Sequence, residues 1–152
     1  MTATVTTFLW FESNAEQAAE FYAATVPDSR VTDVTRLPDG SAFVVSLELA
    51  GHSLTLMNGG PGHPHSDAAS IQVVVEGQAE VDRLWDTLTD GGAPGPCGWL
   101  TDRYGVSWQV VPTALQALMA TPNPAQAAAT AVALRTMTKI DIAGLQAAHD
   151  AA

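Results

Sequence analysis

The chain has 152 residues, of which 47% are hydrophobic and only 14% charged. That balance points to one packed globule and excludes a disordered chain. Six Lys and Arg face sixteen Asp and Glu, for a formal net charge of −10. So acidic a surface repels phosphate backbones and anionic membranes, which argues against nucleic acid or a membrane as partner and leaves small neutral ligands open.

Cys97 is the single cysteine, so neither an internal disulfide nor a cysteine zinc cluster can form. Met1-Thr2-Ala3-Thr4 shows no basic segment leading into an apolar run, and no apolar stretch reaches the length of a membrane span. The expectation is a cytoplasmic protein.

In chain order, Val5 to Phe11 is rich in β-branched and aromatic residues and reads as a strand. Asn14 is placed to cap a helix from Ala15 to about Thr25, with Ala18, Phe21, Tyr22 and Val26 at helical spacing. Three strands are expected next, over 30–37, 42–50 and 52–58, with turns at Pro38-Asp39-Gly40 and Ala50-Gly51. A loop of Gly, Pro and His runs from Gly59 to Asp67.

The pattern then restarts. Ser70 to Glu76 reads as a strand and Gln78 to Thr89 as a helix with Val81, Leu84, Trp85 and Leu88 on one face, closed by Gly91-Gly92. Ala93 to Pro96 leads into strands near 98–102 and 106–111, joined by a hairpin turn at Asp102 to Gly105. Beyond Pro112, which is expected to break the last strand, the composition turns helical. Thr113 is placed to cap a short helix to Met119, Asn123-Pro124 opens an alanine-rich one to about Met137, and Asp141 caps a last one to His149.

Two segments repeat at matching places. Glu12-Ser-Asn-Ala-Glu16 followed by Phe21 parallels Glu76-Gly-Gln-Ala-Glu80 followed by Trp85, and Gly51 to Leu56 parallels Gly105 to Val110. Two matches in the same order favour a duplicated unit. The fold expected is α+β: two β-α-β-β-β modules, at about 4–58 and 69–112, within a domain spanning 1–112. A helical extension over 113–152 then packs on the domain or on a second subunit.

The duplicated unit with Phe21-Tyr22 closing its first helix resembles the vicinal oxygen chelate superfamily, which includes glyoxalase I, extradiol dioxygenases and bleomycin resistance proteins. The segments Phe8 to Glu16, Leu56 to Pro61, Glu80 to Trp85, Cys97 to Leu100 and Tyr104 to Pro112 are similar to recurring ones of its PhnB-like branch, and Thr136 to Ile142 continues the likeness into the tail. The loop Gly62-His63-Pro64-His65-Ser66 departs from that branch, whose members usually carry an aromatic residue and an asparagine there. The resemblance implies mixed curved sheets around a cleft and a homodimer. Members often bear the label 3-demethylubiquinone-9 3-methyltransferase, which this sequence does not support. A methyltransferase of the usual kind needs a Gly-rich loop opening a helix after a parallel strand, whereas Gly59-Gly60 and Gly91-Gly92 fall in a loop and at a helix end.

In metal-using relatives the ligands sit on the first and last strand of each module. Spacing assigns those positions to Thr7, Thr55, Ser70 (Gln72 in the alternative register) and Gln109. Neutral hydroxyl and amide groups offer a transition metal neither charge nor basicity, so no metal and no other cofactor is expected. The assignment depends on register, since a slip of one residue reverses every side chain. Alternation then adds Leu9 and Phe11, Ser53 and Met57, and Ser107 and Val111 to the cleft, with Trp99 at its mouth. The pocket expected from Thr7, Leu9, Phe11, Thr55, Met57, Ser70, Gln72, Trp99 and Gln109 is mostly apolar, with a few neutral polar groups, and suits an uncharged or aromatic small molecule. The same residues can instead simply fill the interior.

His63 and His65 read as loop residues before they read as ligands, and Cys97 as a small buried hydrophobe. Trp10, Trp85 and Trp108 are expected between helix and sheet. Glu12, Glu16, Glu76 and Glu80 recur at helix starts, where carboxylates meet the helix dipole favourably. Three functions follow. The first is metal-independent binding of a small molecule. The second is a lyase or dioxygenase-type enzyme with an atypical metal set, and the third is a filled cleft whose owner acts by protein association.

Overall fold

The computed structural model describes residues 2–152, and the chain divides into two compact units, one ending at Pro64 and the other starting at His65. In the first unit, β1 (Thr7–Phe11), α1 (Ala15–Thr25), β2 (Arg30–Arg36), β3 (Ala42–Leu49) and β4 (His52–Asn58) follow one another. Their sheet has the order β1-β4-β3-β2, with β1 parallel to β4 and the other pairs antiparallel.

Alternation along β3 and β4 decides which face α1 covers. Val45, Leu47, Leu54 and Leu56 are at most 1% exposed and share one face, each burial being worth roughly 1.5–3 kcal/mol. From α1 come Ala15, Ala18, Ala19 and Tyr22, all fully buried. Three alanines bring the helix close to the strands, and the tyrosine fills the remaining depth. Asn14 makes no side-chain cap. Its place is taken by Asn58 at the end of β4, whose Oδ1 accepts from Ala15 N at 2.8 Å while its Nδ2 donates to Ala42 O at 3.0 Å.

The second unit repeats the plan with β5 (Ile71–Val75), α2 (Gln78–Thr89), β6 (Ala93–Pro94), β7 (Trp99–Thr101) and β8 (Ser107–Pro112). The sheet order is β5-β8-β7-β6, again with the first and last strands parallel. Both halves are therefore the β-α-β-β-β module that the sequence repeat implies. The strand β6 falls in a stretch read from sequence as a lead-in, and Pro112 is the last residue of β8 rather than a break before its end. A terminal strand position tolerates proline because the missing N–H removes no further rung.

Between β7 and β8 the buried carboxylate of Asp102, 2% exposed, organises the turn. Its Oδ1 accepts from Tyr104 N and Val106 N, and its Oδ2 accepts from Trp108 Nε1 at 2.8 Å.

The tail forms α3 (Thr113–Met119), α4 (Pro124–Arg135) and α5 (Ile142–Asp150). Asn123 and Asp141 cap the last two through Ala125 N and Ala143 N. Leu118, Ile140 and Leu145 make the tail's own small core, with Leu115, Leu134 and Met137 against it. Among the described residues no helix is long and apolar enough to cross a membrane.

Candidate functional site

In the second unit α2 packs on one face of the sheet, and the residues left on the other face form the site. Trp108 and Val110 are fully buried, so alternation turns Ser107, Gln109 and Val111 away from them. The register sets Gln72 opposite Gln109, and Gln109 opposite Trp99, in one row across β5, β8 and β7. Gln72 Nε2 donates to Gln109 Oε1 at 3.3 Å, and Gln109 Nε2 donates to Ser70 Oγ at 2.9 Å. Beside the row lies a groove of about 350 Å³ whose lining includes Asp67, Pro94, Pro96, Cys97, Trp99 and Thr101. Among the described residues Asp67 is the one charged side chain lining it.

In the first unit the register differs from the sequence expectation by one residue. Thr55 lies opposite Phe8, not Thr7, and Thr7 lies opposite the buried Leu54. Thr7, Leu9 and Phe11 therefore belong to the face that carries α1, and Phe11 is only 3% exposed there. They do not share a face with Thr55 and Met57, whose neighbours on β1 are Phe8 and Trp10. The physical reason is parallel pairing, which places bridge partners on the same side of a sheet. Thr6 confirms the parity, its Oγ1 lying 3.3 Å from Thr55 Oγ1. The spacing that maps Glu12 onto Glu76 also maps Thr6 onto Ser70 and Phe8 onto Gln72. The corrected set of ligand-equivalent positions is thus Phe8, Thr55, Gln72 and Gln109.

That donor set does not fit a divalent transition metal, because a phenyl ring, a hydroxyl and two neutral amides supply no anionic or imidazole ligand. Among the described residues there is also no group of three or more His, Cys, Asp and Glu side chains arranged to hold a metal ion. His52 Nε2 lies 3.1 Å from Thr7 Oγ1, and His63 packs against Trp10 in a tilted arrangement with ring centroids 4.3 Å apart. Cys97 is half-buried rather than fully enclosed, and Arg103, the cation nearest to it in sequence, pairs with Asp90 at 3.0 Å.

Trp85 and Trp108 pack between helix and sheet as expected. Trp10 does not. It is half-buried on the opposite face of its sheet, and its Nε1 donates to Gly60 O at 2.9 Å.

A family model described as 3-demethylubiquinone-9 3-methyltransferase matches residues 3–111. The chain belongs to that family. A solved PhnB protein from Bacillus cereus, titled a putative 3-demethylubiquinone-9 3-methyltransferase, is 28% identical, covering 72% of this chain and 99% of its own, with a TM-score of 0.65. Protein PA1353 from Pseudomonas aeruginosa is 21% identical over 73% of this chain and 98% of its own, with a TM-score of 0.61. The fosfomycin resistance protein FosX from Listeria monocytogenes, solved with Mn(II), is 14% identical over 73% of this chain and 93% of its own, with a TM-score of 0.53. The last two share the fold. No curated protein matches the chain. The chain is a PhnB-like member of the vicinal oxygen chelate superfamily.

The family match ends at Val111. Thr136 to Ile142, read from sequence as continuing the resemblance, lies outside it, as do α3, α4 and α5. Two of the glycines read from sequence as loop and helix-end residues are packed closely against the chain itself. A Cβ on Gly59 would lie 2.2 Å from the Trp10 indole, and one on Gly92 would lie 2.1 Å from Thr101 O. At both sites the close approach of the chain's own atoms leaves no room for a side chain, which accounts for the glycine.

Proposed function

We propose that this PhnB-like protein binds a small uncharged or aromatic molecule on the face of its second sheet that points away from α2, using neither a metal nor an organic cofactor. The observation that supports this reading best is the row Gln72–Gln109–Trp99 beside the 350 Å³ groove. The two amides and the Ser70 hydroxyl are neutral groups that orient a ligand by hydrogen bonding, and their mutual bonds hold them in place beforehand. The Trp99 indole supplies a stacking surface between Pro94 and Pro96, rings that add apolar wall with little conformational entropy to lose. Among the described residues lining the groove a phosphorylated ligand would meet no cation, and it would face Asp67. Such a molecule is disfavoured there. A cytoplasmic homodimer completes the reading on the strength of the family resemblance, and sedimentation velocity tests the dimer.

The binding test is a fluorescence titration with N-phenyl-1-naphthylamine, a neutral probe of three aromatic rings, followed by competition with a panel of neutral aromatic compounds. Saturable uptake is expected in the wild type. Trp99→Ala and Gln109→Leu should each weaken it by roughly ten- to thirtyfold, the effect of removing an aromatic or buried polar anchor. Uptake that both variants leave unchanged would place the ligand elsewhere and refute the assignment.

A further inference from the structure

The wall of the groove is held from behind by a part of the chain that lies beyond the family match. Pro96, Cys97 and Trp99 line the groove. The amides of Cys97 and Gly98 donate away from the sheet, to Met137 O at 2.8 Å and Thr138 O at 2.7 Å. On the same side Ile140, fully buried, fills the space a side chain at position 98 would occupy. A Cβ there would lie 2.8 Å from Ile140 Cδ1 and 2.9 Å from Val110 O. Cys97 has φ +58°, a left-handed conformation that residues with a Cβ rarely adopt. Such a conformation persists where its surroundings over-determine it, and here the two tail carbonyls do so.

The tail segment is in turn fixed to α2. Gln78 Nε2 donates to Ile140 O at 3.0 Å, and Gln78 Oε1 accepts from Ile142 N at 2.8 Å. One turn further along the helix, Asp82 pairs with Lys139 at 2.9 Å. Ile140 continues into the tail's own core with Leu118 and Leu145. One side chain, Gln78, thus holds both the acceptor and the donor of a strand-like crossing that sits directly behind the groove wall.

We infer that Met137–Ile142 is a brace that sets the position of Trp99 and the width of the groove, which makes the C-terminal extension a specificity-determining part of the binding site. Gln78 and Ile140 are its positioning residues, since neither lines the groove. The inference deepens the binding reading above and rests on it for its functional consequence. It predicts that ligand choice in this chain depends on residues that the matched 3–111 region alone does not contain.

The test uses the full chain with Gln78→Met, which keeps side-chain length and helix propensity and removes both bonds to the tail. Leu88→Ala, at a fully buried residue near the end of α2 away from Gln78, serves as a control for general destabilisation. Amide exchange is measured by NMR, and N-phenyl-1-naphthylamine affinity by fluorescence. In Gln78→Met the Cys97 and Gly98 amides should exchange about tenfold faster relative to the Val110 amide, and probe binding should weaken about fivefold or more. Leu88→Ala should leave that exchange ratio unchanged. Exchange at Cys97 and Gly98 that rises no more than at Val110, or a ratio that shifts equally in Leu88→Ala, would overturn the brace. If the wild type takes up no probe, the binding reading fails, and the brace stands or falls on the exchange ratio alone.

Discussion

Gln72 and Gln109 face each other across β5 and β8, the amide of one donating to the amide of the other at 3.3 Å. The resemblance to metal-using relatives implies that they stand at one pair of those relatives' ligand positions. An amide that already spends its oxygen on Gln72 and its nitrogen on Ser70 has little left for a cation. Calorimetric titration of the dialysed, untagged protein with Ni(II), Zn(II), Mn(II) and Fe(II) should therefore show no stoichiometric binding. A tight one-to-one isotherm with any of them would redirect attention to the histidines.

Asn58 and Asn14 give a sharp contrast. Asn58 bridges Ala15 N and Ala42 O, whereas Asn14 has no side-chain cap bond. Asn58→Ala should lower unfolding free energy by about 1–2 kcal/mol, the usual cost of a lost cap with a second bond attached. Asn14→Ala should stay within about 0.5 kcal/mol. Urea denaturation of both variants checks the pair, and equal losses would contradict the structural assignment.

How far the sequence carried the fold is clearest at these residues. Helices over 15–25 and 78–89 emerge from apolar spacing, and the module repeat emerges from two short matches, because both are local signals. A cap contributed from position 58 to a helix starting at 15 is not local, and no spacing rule points to it. The register of β1 is different, because its signal was present. The spacing that aligns Glu12 with Glu76 already aligns Phe8 with Gln72. Spacing counted from Phe21-Tyr22 points instead to Thr7, one residue short of the position that the repeat and the strand register require. Trp10 went astray with it, having been assigned to the helix face by the same parity. The polar row Ser70–Gln72–Gln109 was legible because its alternation with Trp108 and Val110 is regular. The groove itself was not, since it depends on a loop held by the tail.

Asp102 is the second stability test. Its carboxylate is the acceptor for two backbone amides and the Trp108 indole in a buried turn. Asp102→Ala leaves those donors without it and should cost at least about 2 kcal/mol, read as a lower urea midpoint at unchanged slope. A loss under about 0.5 kcal/mol would mean that water replaces the carboxylate freely.

The brace carries its own pH window. The Gln78 hydrogen bond, and then Lys139, hold the Asp82 carboxyl below its ordinary 3.8, and the bond to Asp82 raises Lys139 above 10.5. The lowered acid stabilises the docked tail above its unfolded value and loses that effect as pH falls through the folded one. The raised amine contributes below 10.5 and loses its effect as pH rises past its folded value. Asp86 adds a further negative charge facing Lys139. Both partners are largely solvated, so the contribution is modest and salt-sensitive. Exchange protection factors at Cys97 and Gly98 should be level between about pH 5 and 10 and fall outside that range. A fall already at neutral pH would contradict the assignment.

The most direct test of the account is the binding of N-phenyl-1-naphthylamine to protein dialysed against EDTA, measured before and after Mn(II) is added. The account predicts saturable binding with the same affinity in both states, weakened equally in both by Trp99→Ala. Binding that appears only once Mn(II) is present would contradict metal-independent recognition.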